Sequence, residues 1–226
     1  MDILNFISWI KGRRRFTSVD PTETLLPVGI RDTRRDDKYL TGAISVQELI
    51  NLVPPSGNFG LYAQTGNSIP ITNTTVESTL INGGVGTLSV PANAFQIGDS
   101  FRAVFGGILN AANNQTIRVK VKAGSVILLD SGIQPITNIT NDVFSLNIDF
   151  TIRQLGTAGV ASIVALGAFH YTKTSNATVQ GFAFNTVNST TFNTTINNTL
   201  DVTVQWGSAN AGNSIYSDIF ILNKTY

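Results

Sequence analysis

The sequence predicts an all-β fold, an antiparallel sandwich or jelly roll behind a short, partly helical N-terminal arm. Three observations predict it: apolar and polar residues alternate over several long stretches, clusters of Gly, Asn and Pro interrupt them, and charge is concentrated ahead of Pro54-Pro55-Ser56-Gly57. Alternation with period two puts one face of a strand in a core and the other in water. Interruptions of that composition read as turns.

The arm comes first. Residues 1–57 hold 8 Lys/Arg and 7 Asp/Glu, whereas residues 58–226 hold 7 and 7. The later segment instead carries 20 Asn and 22 Thr, a surface of neutral hydrogen-bonding groups in which β-branched Thr favours strands. The contrast separates a docking arm, residues 1–57, from a head domain, residues 58–226. Within the arm the spacing predicts a helix over residues 2–11, with Asp2 as N-cap, Ile3, Phe6, Ile7 and Ile10 on one face, and Gly12 as the stop. A second helix is expected from Ser45, where Ser45 and Glu48 have capping-box spacing, presenting Val46, Leu49, Ile50 and Val53 before Pro54 ends it. An irregular charged segment joins the two. Helices this short are not stable alone in water, so each must dock on something.

The head follows. Phe144, Leu146, Ile148, Phe150 and Ile152 alternate with Ser145, Asn147, Asp149, Thr151 and Arg153; Leu200, Val202, Val204 and Trp206 alternate with Asp201, Thr203 and Gln205; Ile117, Val119 and Val121 alternate with Arg118, Lys120 and Lys122. Further strands are expected over residues 61–64, 86–90, 100–109, 126–130, 160–172, 179–184 and 214–222. About ten short strands with no helical pattern between them imply a two-sheet architecture. Two of them are apolar on both faces. One bears Ala161, Ile163, Ala165 and Phe169 opposite Val160, Val164, Leu166 and Ala168; the last bears Ile215, Ile219 and Ile221 opposite Tyr216, Phe220 and Leu222. A second apolar face needs cover, because large contiguous apolar patches are rare on monomers. A subunit interface supplies it most simply, and Phe169, Tyr171, Tyr216, Phe220 and Leu222 are its expected residues. The N-terminal segment lying over that sheet is the alternative.

Composition excludes several classes. A net charge of +1 and a pI near 8.0 disfavour a protein that binds nucleic acid by broad phosphate neutralisation. With no Cys there is no thiolate metal site and no disulfide framework. His170 is the single histidine, expected in a core or an interface, with a ligand cluster on a threefold axis or a pH-sensitive contact as the other readings. No metal site and no cofactor is expected. No Gly-x-Ser-x-Gly elbow appears, and Glu77, Asp99, Asp130, Asp142, Asp149, Asp201 and Asp218 are dispersed, so no catalytic residue is assigned and an enzyme is not expected. Gly83-Gly84-Val85-Gly86 is a turn and not a phosphate loop, since no Lys-Ser/Thr follows. The apolar run of residues 3–10 falls far short of the roughly 20 residues that span a bilayer, and its basic cluster follows it, so neither a signal peptide nor a membrane helix is expected. That cluster, Lys11, Arg13, Arg14 and Arg15, is either a solvated charge run, a latch onto acidic groups of a capsid or adaptor protein, or a contact with nucleic acid or anionic lipid. Together with Phe6, Trp9 and Ile10, Arg13, Arg14 and Arg15 form the expected anchor.

Gly86-Thr-Leu-Ser-Val-Pro-Ala-Asn-Ala-Phe95, followed by Ile97-Gly98-Asp99-Ser100-Phe101-Arg102, resembles the first half of the jelly-roll domains of phage fibre and head-decoration proteins. Asn198-Thr-Leu-Asp-Val-Thr-Val-Gln-Trp206, a Ser/Ala/Asn turn and a final strand through Tyr216 to Leu222 resemble the closing pair of the same group. The likeness covers roughly residues 80–226. It implies a TNF-like jelly roll, three copies packed about a threefold axis through an inner sheet, and a virion protein on the capsid surface. Pro21-Thr-Glu-Thr-Leu-Leu-Pro-Val28 and Arg34-Arg-Asp-Asp-Lys38 are similar in style to segments that attach such subunits, so residues 1–53 are expected to meet a capsid or adaptor protein. No shaft is present, which favours a capsid decoration or head-fibre subunit over a long fibre. The alternative is a receptor-binding tail or fibre tip that engages a host surface glycan through the amide-rich face; a secreted ligand of TNF or C1q type and a membrane-associated protein are less favoured.

Overall fold

A computed structural model describes residues 25–31, 39–45, 59–174 and 177–226. The chain divides between Ser56 and Gly57 into two units. Of the first, strands β1 (Leu25–Arg31) and β2 (Tyr39–Ser45) are described, paired antiparallel from Leu25 opposite Ser45 to Arg31 opposite Tyr39. This corrects the irregular segment expected there. The register sets Leu26 against Ile44 and Ile30 against Leu40, a run of strand formers that the flanking charges mask in composition. Ser45, expected as an N-cap, closes β2. The helix over residues 2–11, the rest of the second helix and the anchor residues Phe6, Trp9, Ile10, Arg13, Arg14 and Arg15 lie outside the described residues.

The second unit is an all-β sandwich of antiparallel sheets, with no helix among the described residues. Its strands are β3 (Phe59–Gln64), β4 (Ile71–Thr72), β5 (Ser78–Thr79), β6 (Gly84–Gly86), β7 (Ser89–Val90), β8 (Ser100–Ala111), β9 (Gln115–Ala123) and β10 (Val126–Asp130). They continue with β11 (Gln134–Ile136), β12 (Ile139–Gln154), β13 (Ser162–Lys173), β14 (Thr178–Ser189), β15 (Asn198–Trp206) and β16 (Ser214–Lys224). The larger sheet runs β14-β13-β12-β8-β16-β3-β6, with β4 beside β16; the smaller runs β10-β9-β15-β5, with β11 on β9 and β7 on β15.

Period-two alternation sorts the side chains. From the large sheet, Phe101, Phe105, Phe144, Leu146, Ile148, Ile152, Ile163, Phe169, Ile215 and Phe220 point between the sheets; Ile117, Val119, Val121, Leu129, Val202, Val204 and Trp206 meet them from the small one. The Trp206 indole N–H, buried, donates to the Ile71 carbonyl at 3.0 Å, so the largest core side chain leaves no orphan donor. Gly167 sits beneath the Phe184 ring, whose Cζ would lie 2.6 Å from an added Cβ. A larger residue there would lift the ring out of the core.

A bulge decides the faces of β16. Ser217 pairs with Gly107 but Ile219 pairs with Gly106, so Asp218 is the inserted residue. Ile215, Ser217, Phe220 and Leu222 consequently face inward, and Tyr216, Ile219 and Ile221 outward. The bulge is held by polar contacts: Ser217 Oγ donates to Leu80 O (2.6 Å), Ser217 N donates to Ser68 Oγ (2.9 Å) and Gln64 Nε2 donates to Ser217 O (3.2 Å). Every buried polar atom at this kink is satisfied, which fixes its position.

Candidate functional site

The two solvent-facing sides of the sandwich differ in chemistry. On the small sheet, alternate residues of β9 present Arg118, Lys120 and Lys122, and each cation has a carboxylate: Asp130 for Arg118, Glu77 for both lysines. Glu77 also accepts from Thr203 Oγ1 at 2.8 Å. The Lys120 ammonium beside it, aided by Thr203 and Lys122 against a desolvation cost, pulls the Glu77 pKa from its ordinary 4.5 down to about 2. Every cation of β9 on this face is thus paired within one copy.

The sign follows from the direction of that shift. A carboxylate whose folded pKa is depressed contributes stability that is fully present above about 4.5, shrinks below it and is gone once pH has fallen through about 2. Glu77→Gln is therefore expected to lower stability at pH 7 by on the order of 2 kcal/mol. The gap to the wild-type chain should close as pH drops from about 4.5 to about 2. Urea midpoints across that range check it; a gap independent of pH would show that Glu77 acts through packing instead.

The outward side of the large sheet is built otherwise. Paired residues share a face, so the register sets Val85, Ala63, Ile221, Val104, Asn147, Ala168 and Ala183 in one continuous row across six strand pairs. Adjacent rows carry Ile219, Gly106, Ser145, His170 and Gly181, and Tyr216, Ile108 and Val143. Val85, Val143, Leu166 and Ile219 are 71%, 63%, 52% and 47% exposed. Gly106 makes room for Ile219, whose Cγ2 would stand 3.1 Å from an added Cβ. The charges on the outward side of these strands include Arg102 and Asp149, an exposed ion pair at 2.7 Å, Arg153, whose Nη1 donates to Asn188 Oδ1 at 3.0 Å, and Asp218, exposed at the bulge next to Ile219.

The residues expected at a subunit interface divide accordingly. Tyr216 is half-buried on this outward face. Phe169, Tyr171, Phe220 and Leu222 are instead buried between the sheets of a single copy: Phe220 stacks on Phe105 with ring centroids 4.1 Å apart, and Phe169 stacks on Phe144 and Phe182 at 5.4 and 5.1 Å. The last strand is apolar on both faces as expected, but the bulge exchanges their members, moving Phe220 and Leu222 inward with Ile215 and leaving Ile219 and Ile221 outward with Tyr216. On β13, Phe169 and Tyr171 take the inner parity shared with Ile163 and Ala165. His170 is exposed on the outward face, opposite Ser145 and Gly181, and not in the core. The sequence reading missed Val85, Val104, Ile108 and Val143 as members of this face. The signal available for them was the outward parity of the strands they belong to.

Several of the dispersed carboxylates are tied down locally. Asp99, buried, takes the Lys224 ammonium at 2.6 Å and the Gln96 N–H at 2.9 Å; Asp201 accepts from Thr79 Oγ1 at 2.6 Å, and Asp142 from Thr174 Oγ1 at 2.5 Å. Among the described residues no three His, Cys, Asp or Glu side chains converge as metal ligands. The chain matches no protein-family model. No curated protein is similar to it in sequence.

Proposed function

We propose that this protein is a virion structural subunit, a homotrimeric capsid decoration or head-fibre protein whose second unit is a TNF-like jelly roll. The strand orders support the jelly roll: β3-β16-β8-β12 in one sheet lies against β5-β15-β9-β10 in the other, and the chain crosses between sheets from β7 to β8, β8 to β9, β11 to β12, β14 to β15 and β15 to β16. The hairpin β13-β14 widens the first sheet beyond β12. The phrasing of residues 86–102 and 198–222 supports the same reading.

The observation that carries self-association is the contrast between the two outer faces. One pairs its cations within a single copy; the other sets half-buried Tyr216, Ile221, Val104 and Ile108 beside exposed Ile219 and Val85. A second and third copy of the chain bury such a face, and Asp218, exposed at the bulge, is the charge that this contact must leave in water. In this reading residues 1–57 attach the subunit to a capsid or adaptor protein, Trp9 and the basic run Arg13, Arg14 and Arg15 supplying the contact.

Light scattering tests it directly. The full chain is expected at three times 24.2 kDa. A chain beginning at residue 58 should keep that threefold mass and its strand content but fail to join particles. A monomeric full chain would remove the trimer, and a truncated chain that still joins particles would remove the arm as anchor.

A further inference from the structure

At the end of the sandwich opposite the entry of β3, the small sheet carries a recess of ≈ 290 Å³. Its place is fixed by pairing: Phe59 and Lys224 mark the entry end, whereas Trp206 and Ile117, which floor the recess, stand at the other, where the Trp206 indole reaches Ile71 O. The volume is about that of ten water molecules, too large to be a packing defect and too small for an extended chain of several residues.

The wall chemistry narrows the occupant. Arg118 forms one side, and Asp130 behind it holds the guanidinium in a two-point pair, Nε to Oδ1 at 2.8 Å and Nη2 to Oδ2, both side chains partly exposed. The pair is neutral as a unit, so the recess has no free charge for a phosphate or carboxylate. It still offers hydrogen bonds, since a guanidinium has five N–H groups and two of them are used on Asp130. Gln205 forms another side. Its Nε2 donates to Thr75 O at 3.0 Å, which fixes the amide and leaves Oε1 to accept. Ile133, 71% exposed on the loop between β10 and β11, lines the recess as well. Donors and acceptors at close quarters, no net charge and one apolar wall suit a ligand that is itself neutral, carries hydroxyls that both donate and accept, and has a C–H face.

We propose that the recess bounded by Arg118, Gln205, Thr75, Thr116 and Ile133 is a binding site for a single neutral sugar ring, its hydroxyls on the planar polar side chains of Arg118 and Gln205 and its C–H face on Ile133. The site does not rest on the trimer reading, because every residue of it comes from one copy.

Saturation-transfer NMR on the full chain tests it, with glucose, galactose, mannose, N-acetylglucosamine and N-acetylgalactosamine as the probes. At least one sugar is expected to receive saturation, with affinity falling roughly tenfold in Ile133→Ser and in Gln205→Ala, each the loss of one contact surface or one hydrogen bond. Both changes are at solvent-accessible positions, and unchanged melting curves would confirm that the fold is intact. No transfer to any of the five sugars overturns the proposal. Transfer that both variants leave untouched overturns it too, since the sugar would then be bound elsewhere.

Discussion

Phe220→Asp is expected to abolish folding. Phe220 has no solvent exposure and lies in a three-ring run, stacked on Phe105 at 4.1 Å and tilted against Tyr62 at 5.5 Å. Removing a buried Phe costs about 3–5 kcal/mol in lost packing. A carboxyl group in its place adds several kcal/mol more, either as an unpaired buried charge or as a neutral acid kept protonated against its own preference. No Lys or Arg is inward-facing beside Phe105 or Tyr62 on the paired strands to compensate. The sum is comparable to the whole stability of a domain, about 5–15 kcal/mol. The measurement is a thermal melt by circular dichroism, in which the variant should show no cooperative transition while Phe220→Leu keeps one at a lower midpoint. A folded Phe220→Asp chain would mean that the ring is not in the core.

The same residue shows where the sequence stopped being legible. Alternation in residues 144–152, 117–121 and 200–206 located three strands whose inner faces are those observed, because nothing interrupts the pleat there. Residues 126–130 were placed to the residue, bounded by Gly124 and Gly132, both at positive φ. In β16 the pattern remained apolar on both sides, and only the three-dimensional position of Ser68, Leu80 and Gln64 around Ser217 shows that a bulge reverses the parity half-way. Nothing in a linear pattern says which of two apolar faces meets the other sheet. Aromatic content pointed to Phe169 and Phe220 for an interface, whereas packing places the rings, which bury the most area, in the core and leaves the aliphatic residues Ile219, Ile221 and Val104 outside. The β1–β2 hairpin escaped for a different reason. Two seven-residue strands on either side of the charged residues 32–38 look like loop throughout when judged by composition.

Ile219→Asp, one residue away from Phe220, is expected to have the opposite signature: a folded chain of one-third the mass. Ile219 is 47% exposed, its side chain lies over Gly106, and the backbone around it is pinned by the Ser217 contacts and not by its own side chain. A charged residue at a half-exposed strand position changes single-chain stability by well under 2 kcal/mol, so the sandwich should survive. In an assembly the same carboxylate would sit among Ile221, Val104, Ile108 and Tyr216 with Arg102 already committed to Asp149 at 2.7 Å. Burying it there without a partner costs several kcal/mol, and threefold symmetry repeats that cost at every contact. Mass by light scattering should fall from three times 24.2 kDa to 24.2 kDa, with circular dichroism and melting behaviour still those of a folded sandwich. Two results would sink the interface: an Ile219→Asp chain that keeps its threefold mass, or one that unfolds as Phe220→Asp does. The first would move the contact off this face, and the second would mean that Ile219 belongs to the core and that the outward rows are not free to meet another copy.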